Sequence, residues 1–353
     1  MALKNNLLIQ SENIDALKHL IEEKGLGGKV DLVYIDPPFA TNATFTVSNG
    51  RASTISSSSK GDIAYSDKIT GKEFVEYIRQ RVLLLRDMLS ERGSIYLHTD
   101  YKIGHYLKVM MDEVFGIDNF RNDITRVKCN PKNFKRIGYG NIKDMILFYT
   151  KSSDAIWNEP YTPYSEADID RLFPKTEPDG RRYTTVPIHA PGESASPKTF
   201  RGMLPPEGRH WRTDVKMMEK WDEQGLIEWS AKGNPRKKIY FEDKNGKRRQ
   251  DIWTEFKDPQ NPLYPTAKNL DMIDTIVKTS SNPGSIVLDC FCGSGTTLEA
   301  ALRNGRRFIG IDKSEVAIKA TKERLAKADG GGLLESAYDF FDMENESGHS
   351  LRK

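Results

Sequence analysis

An α/β fold, with a mostly parallel twisted sheet and helices on both faces, follows from three features of the sequence. Apolar strand-like runs alternate with amphipathic helical patterns in the first and last thirds of the chain. Two of those runs deliver an aspartate into a turn, the place where open α/β sheets bind ligands. The middle third loses the rhythm and reads as an inserted region. At 353 residues the chain suits about two domains, or one large domain carrying an insertion.

Residues 1–150 form the first half of the alternating domain. Residues 7–9 read as a strand, a helix starts at Ser11, and Val30–Ile35 is a second strand. Over residues 73–92, Phe74, Ile78, Val82, Leu85 and Leu89 recur at steps of three and four, which predicts a helix stopped by Gly93. A strand at 94–98 follows, then a helix over 103–115 ending at Gly116, then a strand at 145–149. The inserted region, 151–261, holds all five tryptophans. Alternation resumes over 262–330, with a helix from Asn269, the strand Ile286–Asp289, a helix from Thr296, the strand Arg307–Asp312 and a helix from Glu315. Residues 331–353 are rich in glycine and acid and read as a frayed tail. The serine-rich stretch 48–60 reads equally as a linker or as a loop that orders over a bound substrate.

Composition narrows the class. Hydrophobic residues at 37% and charged residues at 29% describe a soluble globular protein, and no apolar run approaches the roughly 18 residues of a membrane span. The start carries no apolar signal core, and three cysteines cannot build a disulfide framework, so a reducing cytoplasm is expected. Cys290 and Cys292 lack the further ligands of a metal site; small packing residues are expected there, and no metal. Net charge is only +3, but residues 231–250 hold eight basic residues against Glu242 and Asp243. Such a cluster supplies phosphate contacts when it converges on one face.

The chemistry concentrates at two strand ends. In Asp289-Cys290-Phe291-Cys292-Gly293-Ser294-Gly295-Thr296 a buried strand runs into a glycine turn and a helix, and Asp312 follows Gly293 by 19 residues, the spacing of an acid that binds ribose hydroxyls. A nucleoside-containing cofactor is expected. The third glycine of a dinucleotide loop is missing, which disfavours a pyrophosphate. In Asp36-Pro37-Pro38-Phe39 the prolines carry no N–H, so the turn offers carbonyl and carboxylate acceptors and few donors. That suits an amino group held by its hydrogens, with Phe39 able to stack on a planar base. His98 and Asp100 end a strand nearby, where packing and a turn are their expected roles.

These two motifs together resemble the S-adenosylmethionine-dependent DNA amino-methyltransferases, and their order, catalytic motif first and cofactor motif last, is similar to the β class of bacterial restriction-modification enzymes. Tyr264-Pro265-Thr266-Ala267-Lys268, Ser281-Asn282-Pro283-Gly284, Leu97-His98-Thr99-Asp100 and Phe120-Arg121-Asn122 are also similar to segments of that class. The resemblance implies a Rossmann-like methyltransferase domain with S-adenosylmethionine enclosed by Asp289, Phe291, Gly293 and Gly295 and its ribose on Asp312. Thr266 and Lys268 become cofactor candidates by resemblance alone. Ser11-Glu12-Asn13 stands where relatives often have Gly-Asp-Asn, which adds Glu12. It further implies that Asp36, Pro37, Pro38 and Phe39 act on the amino nitrogen of a flipped-out base by direct in-line transfer.

Adenine N6 is the expected target, because a serine at the position of Asp36 is the commoner choice for cytosine N4. Cytosine N4 stays open as the alternative; an idle DNA-binding module and an RNA or protein amino-methyltransferase are the others. Cytosine C5 chemistry is excluded by the lack of a Pro-Cys nucleophile. Residues 151–261 are the expected target-recognition region, with Arg236, Lys237, Lys238, Lys247, Arg248 and Arg249 as candidate contacts to double-stranded DNA. A homodimer and a cognate restriction endonuclease are the implied protein partners.

Overall fold

The structure, a computed structural model, describes residues 5–37, 44–48, 51–54, 62–66, 71–131, 137–259, 268–328 and 338–343. Their contacts divide the chain into two compact units, Met1–Pro160 with Gln250–Lys353, and Tyr161–Arg249. Residues 151–160 and 250–259, assigned to the inserted region from sequence, thus belong with the first unit.

The first unit is built on nine strands, β1 (Asn6–Gln10), β2 (Val30–Ile35), β3 (Leu89–Thr99), β4 (Phe120–Val127), β5 (Lys143–Thr150), β6 (Ile252–Trp253), β7 (Ile286–Asp289), β8 (Arg307–Asp312) and β9 (Tyr338–Asp342). They lie in the order β6-β4-β5-β3-β2-β7-β8-β1-β9, and only β5 runs antiparallel to its neighbours. Three helices cover one face: α1 (Asn13–Glu22), α2 (Gly71–Met88) and α3 (Gly104–Phe115). They bury Leu17, Ile78, Leu85 and Leu107 against Val33, Ile35, Ile95, Leu97 and Leu288. The opposite face takes α4 (Leu270–Ser280), α5 (Thr296–Arg303) and α6 (Glu315–Ala328), whose Ile273, Ile276, Leu298 and Ile318 pack on Leu32, Tyr34, Val287 and Phe308. Successive residues of β2 feed opposite cores, which is why its run reads as uninterrupted apolar.

Several expectations need correction. The helix expected over 73–92 ends at Met88, and Gly93 does not stop it but lies inside β3. The pairing of β2 with β3 slips between Val30↔Leu89 and Leu32↔Ser94, and a Cβ on Gly93 would stand 2.7 Å from Leu89 and 3.0 Å from the Val30 carbonyl. Glycine is there for close backbone approach at an irregular pairing. The tail, expected to fray from 331, contributes β9, which pairs with β1 from Asn6↔Tyr338 to Gln10↔Asp342. In the serine-rich stretch, Thr44–Ser48 and Arg51–Thr54 pair as antiparallel strands and Asp62–Ser66 adds to them; residues 49–50 and 55–60 lie outside the described residues.

The second unit has its own small core. A four-stranded antiparallel sheet sets Arg182–Pro187 against Pro235–Tyr240, flanked by Lys175–Thr176 and Ile227–Trp229. Phe200, Met218, Ile188 and Ile227 are buried with Trp211 and Trp221 around them, and Trp229 stacks on Phe200. The other two tryptophans serve the first unit, Trp253 in its core and Trp157 on Phe148.

Gly310 in β8 shows how tightly this sheet meets its helices. A Cβ there would run into Cδ2 of Leu298, itself fully buried. Gly310→Ala is therefore expected to lower unfolding free energy by roughly 1–3 kcal/mol; an unchanged urea midpoint would contradict this packing.

Candidate active site

Strand register brings the acids together. Val33 is level with Leu288, Leu288 with Ile309 and Ile9 with Ile311, so four neighbouring parallel strands point their carboxyl ends the same way. Asp36 follows β2, Asp289 ends β7, Asp312 ends β8 and Glu12 follows β1. The connections from β2 and β7 leave in opposite directions, to β3 and to β8, which opens the crevice in which such sheets bind ligands.

The glycine turn is fixed from below. The two Asp289 oxygens accept from the Phe291 N–H at 3.0 Å and the Thr297 hydroxyl at 2.6 Å, so this carboxylate closes the turn from strand to helix. Gly293 and Gly295 take φ of 51° and 76°, the left-handed region. A Cβ on Gly295 would also meet Thr321 at 2.9 Å, and Thr321 in turn donates to the Gly293 carbonyl. Asp312 accepts from the Gly293 N–H and the Ser314 N–H, both at 2.9 Å, tying the turn to β8.

Glu12 takes the N-cap place of α1 without capping it. Its carboxylate is drawn instead to Arg81, 2.7 Å away, and Arg81 also donates to Asn13 Oδ1 and to the Tyr77 carbonyl. Asn13 donates to the Cys290 carbonyl, and the Arg81 guanidinium lies over the Tyr77 ring, which neighbours Phe291. Arg81 was missed in the sequence, though a signal existed: it falls three residues after Ile78, on the apolar stripe of α2, where a charge demands a partner.

At the other corner, Asp36 Oδ2 lies 2.6 Å from the Lys268 ammonium, and Asp36 Oδ1 is buried with no hydrogen-bond partner among the described residues. A buried acceptor left open costs about 1–3 kcal/mol. Pro37 is buried beside it; Pro38, Phe39 and Thr266 lie outside the described residues. Lys268, a cofactor candidate from sequence, is thus placed on the carboxylate of the other motif.

Beneath Asp36 runs a buried polar chain. The Tyr34 hydroxyl is 2.8 Å from His98 Nδ1, and His98 Nε2 is 3.2 Å from Asp144. Burial and then the Lys268 charge hold the imidazole below its ordinary range, so it is neutral. Burial would raise Asp144, but the His98 hydrogen bond and the Lys128 ammonium at 2.7 Å hold it well below the usual carboxylate range. An ionised Asp144 only accepts, so Nε2 carries the proton and Nδ1 accepts from Tyr34. Arg126, fully buried, completes the cluster on Asp144, Asp258 and the Phe256 carbonyl. Asp100 is a turn residue, accepting from the Lys102 and Ile103 N–H groups.

The site is able to hold the expected cofactor. Asp312 keeps acceptor capacity for ribose hydroxyls, and clustered carboxylates favour a cation such as a sulfonium. Burial, opposed by Thr297 and Phe291 but aided by the charges of Asp36 and Asp312, pushes Asp289 up to about 7. Among the described residues no cluster of three or more His, Cys, Asp or Glu is able to hold a metal ion, and no helix is long and apolar enough to cross a membrane.

The basic residues singled out in sequence sit in the second unit, and most have internal partners. Arg236 donates to Thr185, Lys237 lies 3.8 Å from the Trp221 ring centre, Lys238 pairs with Glu177 and Lys247 with Asp168. Arg248 shares the short strand Lys247–Arg248 with Lys247, and Arg249 is next in the chain.

The Asp289 shift has a measurable sign. Between its ordinary value of 3.8 and about 7 the folded protein holds a proton that the unfolded chain has lost, so this group's stability contribution is full below about pH 4 and fades as pH rises through about 7. The melting temperature of the unaltered chain relative to Asp289→Asn is expected to fall from about pH 4.5 to about pH 7.5. A constant difference across that range would contradict the assignment.

Comparison with known proteins identifies the family. A family model described as DNA methylase, of the N6/N4 methyltransferase kind, matches residues 30–323. The chain is 40% identical over 328 residues to the type II methyltransferase M.EcaI of Enterobacter cloacae, covering 91% of this chain and 69% of that protein. It is 25% identical over 390 residues to the Mod subunit of the type III restriction-modification enzyme EcoPI of Escherichia phage P1, covering 89% of this chain but only 58% of that one. Among solved structures, a DNA modification methylase homologue from Thermus thermophilus, TTHA0409, shares the fold at a TM-score of 0.50 and 16% identity, over 96% of this chain and 100% of that one. The β2 and β7 corners, the mostly parallel sheet and the family match lead to one conclusion: the chain belongs to the S-adenosylmethionine-dependent DNA methylases of the N6/N4 family.

Proposed function

We propose that the protein methylates the N6 amino group of a flipped-out adenine in double-stranded DNA. The observation that carries this reading is the open, buried Oδ1 of Asp36 beside a proline pair, an acceptor-only corner suited to an amino group. When bound, S-adenosylmethionine supplies an electrophilic methyl on sulfur, held by Glu12, Asp289, Phe291, Gly293, Gly295 and Asp312.

The amino nitrogen of adenine is a poor nucleophile because its lone pair is delocalised into the ring. Asp36 Oδ1 and the Pro37 carbonyl accept its two hydrogens, which lets the nitrogen pyramidalise and localises the lone pair. These hydrogen bonds strengthen as positive charge grows on nitrogen, so they stabilise the transition state more than the bound base. Asp36 Oδ1 then holds the proton that the methylated nitrogen sheds. Extruding the base costs a few kcal/mol of stacking and pairing, and Phe39 is the proposed aromatic partner for stacking on it.

Recognition of the DNA is assigned to the second unit. Arg209, Arg212 and Arg236 gather around His189: Arg209 lies 3.2 Å from its Nδ1, Arg212 donates to its carbonyl, and Arg236 faces Pro187 across the sheet. Burial and then these three charges push the imidazole down. No carboxylate among the described residues pairs with the three arginines, which leaves their charge for phosphates. The restriction-modification relatives support a cognate endonuclease, a homodimer is the assembly proposed, and the cytoplasm is the proposed location.

Two measurements test the reading. Tritiated methyl transfer into unmethylated genomic DNA is expected to fall at least about a hundredfold in Asp36→Ala, with N6-methyladenine as the modified nucleoside by mass spectrometry; N4-methylcytosine would overturn the choice of base, and full activity of the variant the mechanism. Arg209→Ala with Arg212→Ala should reduce the slope of log affinity against log salt by about two, and more than Lys237→Ala with Lys238→Ala, whose side chains are already engaged. Equal slopes in all three proteins would remove the second unit from the DNA interface.

A further inference from the structure

The Lys268 ammonium reaches the Asp36 carboxylate from an element far away in sequence and firmly held in space. Lys268 directly precedes α4, whose N-cap is Asn269: its Oδ1 accepts from the Met272 N–H at 3.0 Å and its Nδ2 donates to the Lys257 carbonyl at 3.0 Å. Met272, Ile273 and Ile276 then bury α4 against the face of β2 that carries Leu32 and Tyr34. The base of the lysine side chain is thereby fixed to the strand that ends at Asp36.

The pair is shielded from water, with side chains 10% and 16% exposed. The two oxygens of a carboxylate are equivalent, so an ammonium bound to one of them fixes the plane of the group and the direction of the other. Lys268 takes Oδ2, so Oδ1 is the atom left open. The carboxyl of the buried Asp289 also feels the Asp36 charge.

We propose that Lys268 is a positioning residue for the methyl-transfer step: it clamps Oδ2 of Asp36 so that Oδ1 faces the target amino group, and it does not serve as a cofactor contact. The inference rests on Asp36 being the amino-group acceptor. Group-orienting partners of this kind change function by roughly ten- to a hundredfold when removed, because a loosely held acceptor spends little time in productive geometry.

The experiment uses the full chain, with tritiated S-adenosylmethionine and unmethylated genomic DNA at saturating levels, and calorimetric titration of S-adenosylhomocysteine. Transfer by the unaltered chain and its loss in Asp36→Asn establish the underlying reading separately. Lys268→Met is then expected to lower kcat about ten- to a hundredfold while cofactor affinity stays at its original level, and Lys268→Arg to recover part of the rate. Lys268→Gln carries the same comparison should the methionine variant fail to fold. Weakened S-adenosylhomocysteine binding with an intact saturated rate would make Lys268 a cofactor residue and overturn the proposal, as would an unchanged kcat.

Discussion

The hydrogen-bonded register between the neighbouring parallel strands Val30–Ile35 and Ile286–Asp289 sets the Asp36 corner beside the glycine turn. Far apart in the chain, these strands meet with Val33 level with Leu288, and the connections that leave them run to opposite sides of the sheet. A one-residue slip would exchange the two faces of β2, turning Tyr34 and Asp36 toward the helices α1–α3 and away from Lys268 and His98. The two cores enforce the register, since Leu32 and Tyr34 fit one and Val33 and Ile35 the other.

On that scaffold the protein buries charge that a core would normally exclude. Arg126, Asp144, His98 and Tyr34 form a continuous chain under the Asp36 corner, and Arg81 with Asn13 does the same under the glycine turn. Buried ion pairs add little net stability, because desolvation offsets the attraction. What they supply is geometry: a set of side chains with one low-energy arrangement. The local rules are broken at these places, with an uncapped helix start at Glu12 and a buried arginine on an apolar stripe, as is typical where function competes with folding.

Much of the fold was legible. Ile286–Asp289, Arg307–Asp312 and the helix starts at Thr296 and Glu315 fall where periodicity sets them, since buried parallel strands and amphipathic helices carry strong patterns. Strands β4, β6 and β9 did not read from sequence. Ile252–Trp253 is two residues long, and Tyr338–Asp342 sits in an acid-rich tail, so each exists through its partner rather than its own pattern. The charge cluster at 231–250 was visible but its availability was not, because Glu177 and Asp168, which neutralise Lys238 and Lys247, are remote in sequence.

By itself the sequence determined the alternation of strands and helices, the two turn chemistries and the family they resemble, because each is written in residues close together along the chain. Tertiary structure decided that Asp289 and Asp312 brace the glycine turn while an Asp36 oxygen stays open, that Lys268 answers Asp36, and which arginines lack a carboxylate partner among the described residues. Those outcomes depend on distances between segments that only folding brings together, and a charge is free or satisfied according to its neighbours in space.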